Sequence, residues 1–91
     1  MMYVINANWG GFAVPDEVAE QIGCGRYAFD REYDVRTDKR LIEWVKAHKG
    51  ETDLALVNIP DEATDWEMDE YDGWESIIAV IHGKIVRLEC E

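Results

Sequence analysis

The chain has 91 residues, a net charge of −11 and an apolar content of 47%. That apolar share excludes a disordered acidic tail, and the length excludes two full-sized domains, so one packed domain over residues 1–91 is expected. Charge is also segregated: seven of the nine Lys and Arg lie between Arg26 and Lys49, none lies from Gly50 to Gly83, and ten Asp and Glu fall between Glu51 and Glu75. Such a field repels phosphate backbones and anionic lipids, so direct nucleic-acid binding by counterion release is not expected.

Tyr3 to Ala7 is rich in β-formers and predicts a first strand. It runs into a glycine turn, Trp9-Gly10-Gly11-Phe12. Pro15-Asp16-Glu17 opens a first helix, since proline suits the first turn and acids there complement the helix dipole. Val18, Ala19 and Ile22 supply its apolar face, and Gly23 and Gly25 end it. Tyr27, Phe29, Tyr33 and Val35 recur at a spacing of mostly two, which suits an extended segment over 26–36. Thr37 is read as the N-cap of a second helix, Asp38 to Lys49, with Leu41, Ile42, Trp44, Val45 and His48 on one stripe and Gly50 as its stop. Leu54 to Ile59, halted by Pro60, has the character of a buried strand. Asp61 to Asp65 is read as a turn and Trp66 to Tyr71 as a strand. Asp72-Gly73 and His82-Gly83 mark reversals that bring in strands Trp74 to Ile81 and Lys84 to Leu88, a terminal β-meander.

Chemistry-bearing motifs are sparse. The Gly10-Gly11 turn lies between a strand and a helix, as phosphate loops do, yet it lacks a neighbouring lysine and hydroxyl, and Asp16 and Glu17 repel an anion from the helix entrance. Asp65, Glu67 and Asp69 have the alternate spacing of a calcium loop, but Glu70 stands where the glycine is required; on a strand they become one solvated row. His48, His82, Cys24 and Cys90 lack the close paired spacing of a zinc site. Ser76, the single serine, has no nucleophile elbow around it. No cofactor, no metal and no catalytic residue is assigned. The two cysteines are expected as free thiols in a reducing cytoplasm. No basic leader region precedes the first apolar residues, and the longest fully apolar run, Ile77 to Ile81, is far below a membrane span.

Asn6 with Gly10-Gly11-Phe12 before a helix, Arg36 before a second helix, Ile59-Pro60-Asp61, and Tyr71-Asp72-Gly73-Trp74-Glu75 together resemble a family of small uncharacterised bacterial and phage (prophage) proteins. The resemblance implies a phage-linked origin and no particular activity. The chain departs from that pattern at Pro15, where a serine cap is usual, and at Ile77 to Leu88, an added hairpin in place of a short charged ending.

The expected fold is therefore α+β, with two helices packed on a mainly antiparallel four- or five-stranded sheet ending in a β-meander. Three functions are open: a protein-binding accessory or regulatory module, an acidic nucleic-acid mimic that occupies a basic groove on another enzyme, and a small enzyme using surface carboxylates. Clustered negative charge favours the first two. The expected contact surface is the acidic strand-and-turn region with its aromatics, Trp66, Asp69, Glu70, Tyr71, Asp72, Trp74 and Glu75. Asn6 and Arg36 either join that surface, or Arg36 pairs with a carboxylate to fix the first helix–strand junction. Strand Trp74 to Ile81 is apolar on both faces toward its end, which motivates a homodimer.

Overall fold

The computed structural model describes residues 1–23 and 35–91. Cys24, Gly25 and the extended reading of Tyr27, Phe29 and Tyr33 lie outside the described residues, whereas Val35 and Arg36, expected at the end of that extended segment, are helical. Within the described residues the chain order is β1 (Met2–Asn6), α1 (Asp16–Ile22), α2 (Lys39–Ala47), β2 (Leu54–Asn58), β3 (Ala63–Tyr71), β4 (Trp74–Ile81) and β5 (Lys84–Leu88).

The fold is α+β, but its five strands divide between two sheets. β1 and β2 form an antiparallel ribbon, and β3, β4 and β5 form an antiparallel meander. Strand alternation explains the layering. Val4, Leu54 and Leu56 turn to one side of the ribbon and meet Val18, Ala19, Leu41 and Val45 from the helices. Tyr3, Ile5 and Val57 turn to the other side, where Ile59 and Ile77 complete a second core. The half-buried Trp66, Met68 and Leu88 of the meander flank it. The ribbon is thus a middle layer, with helices on one face and the meander on the other.

Local chemistry sets the element ends. Pro15 precedes α1 without a side-chain cap, its carbonyl accepting from the amides of Val18 and Ala19, and Gly23 closes the helix in the left-handed conformation. The cap of α2 is Asp38 rather than Thr37: Asp38 is extended and its side chain accepts from the Arg40 amide at 2.8 Å. α2 ends at Ala47, where His48 caps it and stacks on Trp44. The two helices are tied by the Trp44 indole donating to Glu17 and by Arg40 donating to the Gln21 carbonyl at 2.9 Å. Strand β3 begins at Ala63, three residues before the expected Trp66. A register shift between Ala63 and Asp65 places a bulge at Thr64, which breaks the alternation that would reveal the strand start. Both hairpins turn through adjacent residues of positive φ, Asp72-Gly73 and His82-Gly83, as a tight two-residue reversal demands. The chain's end returns to the ribbon, with the Glu91 amide donating to the Leu56 carbonyl at 2.8 Å.

Candidate functional site

The site begins at the edge of β1 that pairs with no strand among the described residues. Ala7 donates to the Asp53 carbonyl and Ile59 to that of Met1, so the odd-numbered residues of β1 bond to β2. Val4 and Asn6 consequently direct their main-chain groups to the free edge. Two side chains bond to the main chain along that edge. Arg36, fully buried at 0% exposure, donates from Nη1 to the Val4 carbonyl at 3.0 Å. Glu75, from the inward face of β4, accepts the Asn6 amide at 2.7 Å. The two close on each other in a bidentate pair, Nη1 to Oε1 at 2.7 Å and Nη2 to Oε2 at 2.8 Å. The guanidinium is stacked over Phe12, 3.8 Å from the ring centroid, and lies 5.7 Å from the centroid of the Tyr3 ring. The planar fork of arginine suits this geometry: it meets both carboxylate oxygens while lying flat on an aromatic ring.

A second junction sits directly above. The Asn6 carboxamide donates to the Asn8 carbonyl at 2.6 Å and to the Gly73 carbonyl at 2.9 Å. The Gly10 amide points to the Asp72 carbonyl at 3.4 Å. The β3–β4 turn therefore rests on the Gly10-Gly11 turn backbone to backbone. A methyl group at Gly73 would collide with the Gly11 nitrogen and come within 2.8 Å of the Gly10 nitrogen. The positive φ of Gly73 and this close approach both require glycine there. Glu70 completes the turn by accepting from the Gly73 amide at 2.6 Å.

What these buried contacts hold in place is an exposed aromatic patch. Trp9 lies edge-on to Trp74, centroids 5.1 Å apart, and to Tyr71 at 5.9 Å. All three stay open to solvent, at 54% for Trp9, 75% for Tyr71 and 43% for Trp74. Between Trp9 and the acidic turn is a cleft of about 410 Å³, lined by Trp9, Gly10, Gly11, Glu70, Asp72 and Gly73. Along β3, Asp65, Glu67 and Asp69 continue the negative rim on the outer face, exposed, with Asp69 facing Arg87 at 3.4 Å.

The expected surface residues thus separate into two sets. Asp69, Glu70, Tyr71, Asp72 and Trp74 are exposed around the patch. Asn6, Arg36 and Glu75 are buried beneath it. Arg36 does pair with a carboxylate, but the junction it fixes is between β1 and β4, not between the first helix and a strand. Trp66 is half-buried on the inner face and packs edge-on against Tyr3 at 5.0 Å. Trp9 joins the patch although the sequence marks it only by its place immediately before the paired glycines, where a side chain is held out from a turn.

Elsewhere a cavity of about 430 Å³ runs under the end of α2, its walls including Val45, Leu54, Leu56, Lys46, Lys49 and Glu91. It is larger than the cleft beside Trp9 and shares no lining residue with it, and its walls carry both the lysines and the carboxylates of Asp53 and Glu91. Among the described residues no three His, Cys, Asp or Glu side chains converge as a metal set, and no helix is long and apolar enough to cross a membrane. His48 Nδ1 lies 2.8 Å from the Trp44 carbonyl, a helix-end contact. Cys90 is a free cysteine, exposed by area, yet the protein packed beside it is enough to push its thiol above the ordinary range.

Comparison with protein-family models, curated proteins and solved structures gives no match for this chain.

Proposed function

We propose that the chain is a non-catalytic protein-binding accessory module, of the phage-related kind that the motif resemblance implies, and that it engages its partner through Trp9, Tyr71 and Trp74. The observation that carries this reading is the pairing of exposure with buried support. Three large aromatic side chains lie in water, where leaving apolar area unburied forgoes roughly 25 cal/mol per Å². Beneath them, a buried ion pair and two interlocked glycine turns fix their backbone positions. Pre-organised Trp and Tyr side chains are the usual centres of binding energy in protein interfaces.

The rim defines the partner's chemistry. Asp69, Glu70 and Asp72 surround the patch with negative charge, and the aromatic faces attract cations as well. The fitting partner is a protein segment bearing Arg or Lys, with a basic side chain entering the cleft between Trp9 and Asp72. The nucleic-acid mimic has one observation in its favour, the exposed row Asp65, Glu67 and Asp69. Ile78 and Val80 stand beside that row on β4, half-exposed, which suits a mixed protein interface better than a charged decoy.

The test is capture of host proteins by immobilised wild type and by Trp9→Ala/Tyr71→Ala, with folding checked by circular dichroism. The reading expects a partner retained by the wild type and lost by the variant, associating faster at low salt. Equal retention at equal rates by a folded variant would remove the platform from the function. The reversal Asp72→Lys tests the rim separately; Glu70 is unsuitable because its carboxylate also holds the Gly73 amide.

A further inference from the structure

We infer that the outer face of the β3–β4–β5 meander pairs with the same face of a second copy of this chain. On β4, Glu75, Ile77 and Ala79 turn into the core, so Ser76, Ile78 and Val80 turn outward. Register then fixes what stands beside them. Glu67 is level with Ile78 on one side, and Arg87 is level with it on the other. This rung reads acid, apolar, base. The adjacent rung is Asp65, Val80 and Ile85, with Ile85 79% exposed.

Such a rung is complementary to itself. A two-fold axis laid along β4 keeps every residue at its own height but exchanges the flanks. Ile78 then meets Ile78 of the second copy, and Glu67 meets its Arg87 on both sides. Val80 extends the apolar centre, while Ile85 meets Asp65 of the second copy. Arg87 is already oriented on this face by Ser76 and Asp69, and its guanidinium carries five donors, more than those two groups accept. Aligned packing of two sheet faces about 10 Å apart is an ordinary arrangement for antiparallel sheets. A face three strands wide spans only about 15 Å, less than a standard interface offers, so the dimer is weak and forms in the micromolar range.

Sedimentation velocity from about 5 to 500 μM on the wild type, E67R, R87E and E67R/R87E decides the matter. The wild type should pass from monomer toward dimer as concentration rises. Each single variant should weaken association at least tenfold, and the double variant should restore it to within a few-fold. E67R is the sharpest arm. It lowers the net negative charge by two and so relieves general repulsion between copies, yet the rung predicts weaker pairing. Both positions are exposed, and melting temperatures within a few degrees of wild type would show that the variants are folded. A monomer mass across the whole range, an E67R variant that associates as well as or better than wild type, or a double variant as weak as the singles would overturn the proposal.

Discussion

Replacing Glu75 by Gln tests the support beneath the platform. Glu75 accepts from both Arg36 terminal nitrogens and from the Asn6 amide, all within 2.7–2.8 Å. Glutamine keeps the shape but turns one acceptor oxygen into a donor facing other donors. It also leaves the guanidinium charge buried without its counter-charge. Removing one member of a buried pair typically costs about 3–5 kcal/mol. Total stability for a domain of this length is about 5–13 kcal/mol, so the loss is a large fraction of it. With a urea slope of about 1–1.5 kcal/mol per molar, the unfolding midpoint should fall by roughly 2–5 M. The double variant Arg36→Met/Glu75→Met removes both charges and should recover part of the loss. Recovery stays incomplete because the Val4 carbonyl and Asn6 amide then have no partner at the β1 edge, at about 1–3 kcal/mol each. Urea titrations followed by far-UV circular dichroism measure all three proteins. A Glu75→Gln midpoint within 0.5 M of wild type, roughly the scatter of a surface substitution, would refute the claim that this pair closes the edge of β1.

Three further outcomes follow from individual contacts. Gly73→Ala should destabilise by about 2–4 kcal/mol, combining a positive-φ penalty with a backbone collision; Gly83→Ala, with a similar φ but open space around it, should cost only about 1 kcal/mol, and equal losses in urea melts would deny the interlocked turns. Asp38→Ala should cost about 1 kcal/mol through loss of the α2 cap, read as a lowered midpoint in the same melts, and an unchanged midpoint would reject Asp38 as the cap. In a Cys24→Ser background, Cys90 should react with iodoacetamide more slowly when folded than in denaturant at the same pH, because its raised pKa leaves less thiolate. The linked stability has the matching sign: the unfolded chain loses its thiol proton first, so stability falls as pH climbs past the unfolded value and levels off above the folded one. Equal alkylation rates in the two states would remove the shift.

Much of the architecture is legible from short-range chemistry. Asp72-Gly73 and His82-Gly83 announce two-residue turns because few other pairs accept two consecutive positive φ values. Pro15, Gly23 and the Leu41–Val45 spacing mark the helices for similarly local reasons. The division into two sheets is not legible, because it depends on what satisfies the free edge of β1. Those partners, Arg36 and Glu75, lie 32 and 69 positions away from Val4 and Asn6 in the chain. Thr37 and Asp38 are both good caps in adjacent positions, and only backbone geometry separates them. The bulge at Thr64 hides the start of β3 by the same logic that makes alternation useful elsewhere. At the site, the acidic aromatic strand and turn stand out in the sequence, whereas Trp9 does not. Its edge-on partners are distant in the chain, and the glycines beside it suggest a turn without saying what that turn rests on.

The binding claim is tested most directly by ¹H–¹⁵N spectra titrated with a short arginine-rich peptide. The four tryptophans give four indole signals that can be assigned by substitution. A guanidinium seated against the platform gains about 0.5–1 kcal/mol from an exposed aromatic face and a similar amount from each rim carboxylate, enough for weak saturable binding. The Trp9 and Trp74 indoles and the Gly73 amide should shift together, with smaller shifts at higher salt, while Trp44 and Trp66 stay in place. Shifts spread evenly over the acidic surface, or no movement at Trp9 and Trp74, would contradict the account.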